Sequence, residues 1–229
     1  MLDSYAHTAR WTGIGACAAM IACFCLLGHL PSQARAAADT TCPPGSSVAT
    51  GTTSPSMPTM PSQTLVACVG SQAITEATFQ HWSAVAQAEP SPQAGHQPSA
   101  AEVTTQVMGF LISADWVIGE AHDLNVHVSP SEVRRTFNRT RKAQFPKQSE
   151  FQAFLRKSRE TVTDILLRVE LDLLSQRLQR RVVSGKRGAR KKHEALKRFV
   201  SNFRNKWTAQ TYCAAQYASQ DCGHVQTTL

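Results

Sequence analysis

Residues 103–137 read VTTQVMGFLISADWVIGEAHDLNVHVSPSEVRRTF, and the organisation of the whole chain follows from this stretch. Apolar side chains recur every three or four residues from Val103 to Leu124, and no proline interrupts them. This spacing predicts an amphipathic helix with one apolar face. The face consists of Val107, Phe110, Leu111, Ala114, Val117, Ile118 and Ala121.

A second helix is predicted directly after the first. Val126 and Val128 alternate with polar residues, which indicates a short extended connector. Ser129 is a suitable N-cap, Pro130 suits the first helical position and Glu132 lies three residues after the cap. A buried helix, a short connector and a capped polar helix therefore form one unit. Nothing in this unit is typical of a catalytic site, so it favours a binding module over an enzyme.

The amino terminus has the pattern of a secretory signal. Arg10 precedes an apolar run from Ile14 to Leu27, and Ala36–Ala38 supplies small residues for cleavage before Asp39. We therefore predict a signal peptide over residues 1–38, or an uncleaved anchor. The protein is expected to be exported and to act in the cell envelope or outside the cell.

The same region offers a site for a lipid anchor. Met20–Cys23 loosely resembles the lipoprotein motif, in which a small residue precedes the modified cysteine. Ile21 fits that motif poorly and the apolar run continues beyond Cys23, so cleavage after Ala38 is favoured. Residues 39–63 then contain five prolines among Ser, Thr and Gly. Such a tract buries too little apolar surface to fold, and we expect a disordered linker.

Four cysteines remain beyond the predicted signal: Cys42, Cys68, Cys213 and Cys222. An even number in an exported chain indicates disulfides, for which three connectivities exist. Cys213 and Cys222 are close in sequence, so we prefer a small loop closed by this pair, which leaves Cys42 with Cys68. A zinc site of Cys213, Cys222 and His224 is the alternative, but it lacks the tight paired spacing of zinc ligands. We expect no metal and no cofactor.

Charge is distributed unevenly along the chain, whose formal net charge is +8. Residues 39–133 contain eight acidic residues and no Lys or Arg, whereas residues 134–229 contain 22 basic and seven acidic residues. Such asymmetry indicates either that the two halves attract each other or that the basic half meets an acidic partner.

A basic connector, SGKRGARKK, spans residues 184–192. The simplest interpretation is a solvated linker, and the functional alternative is contact with anionic lipid or cell-wall polymer. Nucleic acid is disfavoured, because export is predicted and no aromatic residue interleaves the charges. The candidate anionic-surface residues are Lys186, Arg187, Arg190, Lys191 and Lys192.

A β-hairpin and a short helix are predicted in the segment that precedes Val103. Strands at residues 65–69 and 72–74 flank Gly70-Ser71, a dipeptide that suits a type II′ hairpin turn. A helix follows the N-cap Thr75 and ends in a loop over residues 86–101.

Three further helices are predicted from apolar residues at helical spacing. They contain Phe151 to Leu155, residues 161–182 and His193 to Trp207. The predicted domains are the signal peptide (1–38), the linker (39–63), a helical domain (64–207) that includes the connector 183–192, and a disulfide-closed tail (208–229).

Three groups of residues carry a resemblance to a known family. The first group, Val66–Thr75 with Phe79, is similar to the strand–turn–strand segment with which that family's domain opens. The second group, Leu111–Val133, is similar to the family's helix, extended connector and capped helix. Phe151–Leu155 followed by Val162–Leu178 is similar to its third part. In this order they resemble the N-terminal chaperone domain of the SurA and PrsA-type exported foldases.

The resemblance covers roughly residues 65–207 and implies a mainly α fold, a helical cradle with one small β-hairpin. The family usually has Asn-Gly where this chain has Gly70-Ser71. In many members a parvulin-type prolyl isomerase domain separates the long helix from the last one, but here residues 183–192 occupy that place. A catalytic domain needs its own core and far more chain. The resemblance therefore argues against isomerase activity, which is the enzymatic alternative.

The resemblance also implies that part of the aromatic set lines a concave face that holds non-native chains. Core packing is the default for each member, and weak binding of many sequences needs an apolar surface with a polar rim. We select Trp116, Phe154 and Trp207 as candidate polypeptide-binding residues, and no catalytic residue is predicted. The expected partners are unfolded or exported polypeptides. The aromatic set is Phe110, Trp116, Phe137, Phe151, Phe154, Phe199, Phe203 and Trp207.

Overall fold

The computed structural model describes residue 42, residues 64–89 and residues 97–227. The predicted signal peptide, the lipid-attachment site at Cys23 and the linker, apart from Cys42, lie outside these described residues. The mainly helical class is confirmed. The elements in chain order are β1 (Leu65–Val69), β2 (Gln72–Thr75), α1 (Glu76–Ala88), α2 (Ala100–Asp123), α3 (Pro130–Gln144), α4 (Gln148–Ser158), α5 (Val162–Val183), α6 (Ala189–Thr208), β3 (Thr211–Ala214), a 3₁₀ turn (Ala215–Tyr217) and β4 (His224–Gln226).

The described strands form one sheet in the order β2–β1–β3–β4. β1 pairs antiparallel with β2, and the register runs from Ala67 opposite Ile74 to Val69 opposite Gln72. Every residue of β1 is buried, because this strand lies between two others. Gly70 opens the turn with a φ of +56°, a left-handed conformation that glycine adopts without steric cost. This is the hairpin predicted from the sequence.

The sheet also contains two strands that the sequence analysis missed. β3 pairs antiparallel with β1, which places Ala67 opposite Cys213, and β4 pairs parallel with β3. The predicted hairpin is therefore half of a larger sheet, and residues 211–226 belong to it rather than to a separate tail. β3 reads only TYCA, which is too short to show an alternating pattern. Its pairing depends on the open edge of β1 and not on a local signal.

Two disulfides join described cysteines. Cys42 is bonded to Cys68 with Cα atoms 5.7 Å apart, and Cys213 is bonded to Cys222 with Cα atoms 5.8 Å apart. Both separations lie in the usual range for such bonds. Cys68 belongs to β1 and Cys213 to β3, so each bond fastens an outer segment of chain to the middle of the sheet.

The larger hydrophobic core lies between the sheet, α1, α2 and the end of α6. Trp82 of α1 and both Ile112 and Trp116 of α2 are fully buried in it. Phe203 and Trp207 enter from α6, so the last helix is part of the main core. This packing fixes α2, the predicted central helix, against three other elements.

A second core lies between α3, α4 and α5. Ala121 of α2 packs with Leu174 and Leu178 of α5 in a smaller cluster next to it. α2 therefore contributes to the packing on both sides of the molecule. The buried residues of the second core are Val133, Phe137, Phe145, Phe151, Ile165 and Val169.

Local sequence explains where most helices begin. Ser99 and Glu102 form a capping box at the start of α2, with the Ser99 backbone N–H donating to the Glu102 carboxylate at 2.7 Å. Ser129 caps α3 and Pro130 takes its first position, as predicted. α6 differs, because its N-cap is Gly188 and no side chain caps it.

Candidate functional site

Two of the three predicted polypeptide-contact residues are core residues. Trp116 is fully buried, and only 6% of Trp207 is exposed. The Trp116 Nε1–H donates to the Thr211 hydroxyl at 2.8 Å, and that hydroxyl donates to the Trp207 carbonyl at 2.8 Å. These bonds join α2, β3 and α6 beneath the surface. Trp116 and Trp207 therefore hold the fold and offer no surface to a client in this conformation, which corrects the prediction for both.

An acidic pocket on α2 holds the end of α6. The Trp207 Nε1–H donates to Glu120 Oε2 at 2.9 Å, and Lys206 Nζ donates to the same oxygen at 2.6 Å. Lys206 also donates to Asp123 at 2.8 Å, and this hydrogen bond lowers the pKa of Asp123. Glu120 is buried, and Lys206 balances its charge. The indole ring lies so close to Gly119 that a Cβ there would meet it at 2.1 Å.

Phe154, the third predicted contact residue, is half-buried on α4. Its ring centroid lies 5.1 Å from that of Phe145, and its side chain packs against the second core. In the aromatic set considered above, Phe110 and Phe199 are the other two half-buried members. Phe154 is thus the one predicted contact residue that the structure leaves partly accessible.

The described surface has no broad apolar cradle of the kind that the resemblance implied. Such a surface needs neighbouring exposed apolar side chains. Across residues 64–89 and 97–227, the large apolar side chains that are exposed are Val162 (39%) and Val225 (55%).

A groove of about 490 Å³ lies between the end of α1, the start of α2 and the turn after α4. Gln87 and Gln97 contribute amides that both donate and accept hydrogen bonds, and Lys157 and Arg159 contribute positive charge. Arg159 has a left-handed φ of +57° and ends α4, which brings its side chain to the groove. Small apolar side chains line the rest: Ala88, Pro98, Ala100 and Val103.

A charged cluster lies where α1 ends and α5 begins, next in sequence to two groove residues. Arg168 Nη2 is 3.4 Å from Glu89 Oε1 and 3.1 Å from Glu160 Oε1. His81 Nε2 is 3.1 Å from Asp164, whose carboxylate accepts a backbone hydrogen bond at the start of α5. Burial raises the pKa of Glu89 to about 7 and also raises the pKa of Glu160, while Arg168 opposes both shifts. Arg168 therefore forms ion pairs with two carboxylates that are partly buried in the folded protein.

Glu89 is expected to make the protein less stable as the pH rises. Its contribution is fully present below the ordinary pKa of 4.5 and is lost as the pH passes the folded value of about 7, because the folded state holds the proton more tightly. Glu89→Gln should reduce the fall in Tm between pH 5 and pH 7.5 by about 2 °C. Thermal unfolding at the two pH values measures this. Glu150→Gln, which removes an exposed carboxylate of α4, is the control. A fall in Tm that is equal in wild type and Glu89→Gln would contradict the assignment.

The uneven charge distribution produces contacts between the two halves of the chain. Arg177 of the basic half pairs with both carboxylate oxygens of Glu132, at 2.7 and 2.5 Å, and also donates to the His127 carbonyl. The pair of Arg168 with Glu89 and the pairs of Lys206 described above likewise join basic residues to carboxylates of the acidic half. Attraction between the halves, one of the two interpretations of the sequence, is therefore present in the fold.

The predicted anionic-surface residues lie in the turn between α5 and α6 and in the first turn of α6, and all five are exposed. None of them forms an ion pair with another residue that the structure describes. They do not border the groove. The residues are Lys186, Arg187, Arg190, Lys191 and Lys192.

The alternative zinc site is not formed. Cys213 and Cys222 are bonded to each other, and His224 stacks on Tyr212 with ring centroids 4.4 Å apart. In the described part of the chain, no three His, Cys, Asp or Glu side chains converge as metal ligands would. No helix within the same residues has the length and apolar character needed to cross a membrane.

Comparison with protein-family models identifies a family for this chain. A family model described as a SurA-like N-terminal domain matches residues 47–179, which is more than half of the chain. The chain belongs to the SurA-like N-terminal domain family. The resemblance seen in the sequence is thereby confirmed. No curated protein and no solved structure shows a match to the chain.

In this SurA-like domain the matched region includes the hairpin, α1 to α4 and most of α5. The groove lies within it, whereas α6, β3 and β4 follow it. Sequence reasoning missed the groove, although Gln87 and Gln97 both lie in the predicted loop over residues 86–101. The other lining residues, Lys157 and Arg159, come about 60 residues later in the chain. No local sequence pattern predicts that they lie beside Gln87 and Gln97.

Proposed function

We propose that the protein is an exported, chaperone-like binder of unfolded or non-native polypeptides in the cell envelope and acts without covalent chemistry. The observation that carries the proposal is membership of the SurA-like N-terminal domain family, which belongs to the envelope chaperones and foldases. The predicted signal peptide over residues 1–38 supports export. The even number of cysteines beyond it supports an oxidising compartment.

The groove is the surface that we assign to client binding. Its glutamine amides at positions 87 and 97 suit the alternating donors and acceptors of an extended backbone, and its small apolar side chains leave room for varied client residues. Lys157 and Arg159 favour segments that carry acidic groups. A volume of about 490 Å³ holds a few side chains rather than a folded partner. Binding of this kind is weak and tolerant of sequence.

Filling the groove is expected to weaken client protection. Ala100→Trp places a large ring among the lining residues, and we expect at least a threefold loss of protection, since contact area is lost to the ring. Ala101→Trp is the matched control, because Ala101 is the next residue of the same helical turn, is exposed and does not line the groove. The measurement is light scattering from a reduced, denatured exported protein with the variant in stoichiometric excess.

Two outcomes would contradict the proposal in different ways. Failure of the wild-type protein to suppress aggregation of any exported client would remove the chaperone-like function. Protection that both tryptophan variants lower equally, or that neither lowers, would leave that function in place and remove the groove as its site.

A prolyl isomerase of reduced or unusual form is the enzymatic alternative. The family resemblance favours testing it, although α5 and α6 are separated only by residues 184–188, where many relatives carry a parvulin domain. A proline-containing test peptide isomerises in tens to hundreds of seconds without catalysis. No acceleration over that rate at micromolar protein would exclude this alternative.

A further inference from the structure

The end of α5, the turn after it and the first turn of α6 together concentrate positive charge that the proposed client binding does not use. Seven basic residues fall within residues 180–192, and all of them are exposed. No acidic residue occurs from residue 173 to residue 193. We call this set the basic tip: Arg180, Arg181, Lys186, Arg187, Arg190, Lys191 and Lys192.

The side chains of the basic tip are open to solvent. Gly185 and Gly188 have φ values of +72° and +83°, and a Cβ at either position would meet no atom within 4 Å. The nearest arginine before the tip, Arg177, is paired with Glu132. No member of the tip forms an ion pair within the described residues.

Part of this charge lies where it weakens the local structure. Arg190, Lys191 and Lys192 occupy the first turn of α6, which has no acidic residue and no side-chain cap. The positive end of a helix dipole disfavours cations there. An anionic partner would offset this effect. Helix stability therefore does not account for these residues, whereas binding of an anion does.

The shape and composition of the tip indicate the kind of partner. Its residues lie at two helix ends and in the short turn between them, and all are exposed, so the tip can contact a plane. No Phe, Trp or Tyr occurs from residue 180 to residue 198, whereas single-stranded nucleic acid is usually held by aromatic stacking. The two exposed large apolar side chains of the described surface, Val162 and Val225, lie outside the tip. Contact would be electrostatic, at the level of headgroups.

We propose that the basic tip docks the protein on a membrane surface by binding anionic phospholipid headgroups. Juxtamembrane lysines and arginines are attracted to such lipids, and the attraction decays within about one Debye length, about 10 Å at 0.1 M salt. Docking is separate from client binding, since the tip and the groove share no residue.

Vesicle co-sedimentation tests the proposal with the protein as recovered from the producing cell. Wild type should bind vesicles that contain about 30% phosphatidylglycerol and should release them at about 0.5 M salt, because electrostatic contact is screened. The tip variant carries Arg187→Gln, Arg190→Gln, Lys191→Gln and Lys192→Gln, and it should bind at least tenfold more weakly. The matched control removes the same charge from exposed positions of α3: Arg134→Gln, Arg135→Gln, Arg139→Gln and Lys142→Gln.

We expect the α3 variant to lose less than threefold in vesicle affinity and the tip variant to keep wild-type protection of clients. Equal losses in the two variants would overturn the proposal in favour of a diffuse effect of net charge. Equal binding to pure phosphatidylcholine would overturn it as well. So would tighter binding to single-stranded DNA than to the anionic vesicles at equal phosphate concentration, which would assign the tip to nucleic acid.

Discussion

Replacing Trp116 with alanine is expected to lower the free energy of unfolding by about 3–5 kcal/mol. The ring is fully buried and packs edge-on against Phe203, with centroids 5.9 Å apart. Its Nε1–H is bonded to the hydroxyl of Thr211 in β3. The substitution leaves a cavity where α2, α6 and the sheet meet, and removes one of the bonds that hold β3. Urea unfolding followed by circular dichroism measures the loss.

Phe154→Ala provides the comparison for this experiment. Phe154 is half-buried on α4, so its truncation should cost about 1–2 kcal/mol. Client protection per folded molecule should be unchanged in Trp116→Ala at a temperature where the variant is folded. If Trp116→Ala unfolded like wild type but protected clients poorly, its assignment to the core would be wrong.

Gly119→Ala should destabilise the protein by about 2–3 kcal/mol, because it overpacks the contact between α2 and α6. In most helix interiors the same change adds about 0.5–1 kcal/mol of stability. Here the new Cβ would lie 2.1 Å from one ring carbon of Trp207 and 2.6 Å from another. The ring is held in place by Glu120, which accepts its Nε1–H, and by Lys206 Nζ, 4.9 Å from the ring centroid. Chemical unfolding of purified variants measures the effect.

Gly109→Ala is the matched control on the same helix. The nearest atom to a Cβ there is a carboxylate oxygen of Asp221 at 3.9 Å, an ordinary contact, so we expect a neutral or slightly stabilising change. Replacing Trp207 with leucine removes the ring that the new Cβ would meet. The double variant Gly119→Ala/Trp207→Leu should therefore lose less free energy of unfolding than the two single variants together. Strict additivity in that cycle would show that the ring and position 119 do not interact.

Elements with a strong local signal could be predicted from the sequence. The spacing of apolar residues in α2, the Ser129-Pro130 start of α3 and the Gly70 turn each reflect interactions within a few residues. Such interactions can be recognised within a short stretch of sequence. These elements therefore have the predicted type and nearly the predicted bounds. The preferred pairing of Cys213 with Cys222 is also the one in the structure, since short loops close readily.

Features that join distant segments could not be predicted in the same way. Trp116 and Trp207 have the same sequence character in a core as on a binding face, and only the packing of α6 on α2 distinguishes the two. The burial of Glu120 beside Lys206, 86 residues later, likewise depends on tertiary packing. The basic tip shows the opposite case: its charges could be read from the sequence, but the absence of partners around them required the fold.

The pairing of β1 with β3 has a consequence for how the chain is made. Val69 lies opposite Thr211, so the first strand of the domain meets its neighbour only after some 140 further residues have been synthesised. Until then one edge of β1 has no partner, and a chain that emerges from a ribosome or a translocation channel amino end first cannot complete its sheet. Contacts of such long sequence separation also slow folding. During its own synthesis the protein therefore exists for a time as a partly folded chain with an unpaired strand edge, which is the kind of chain that a chaperone binds.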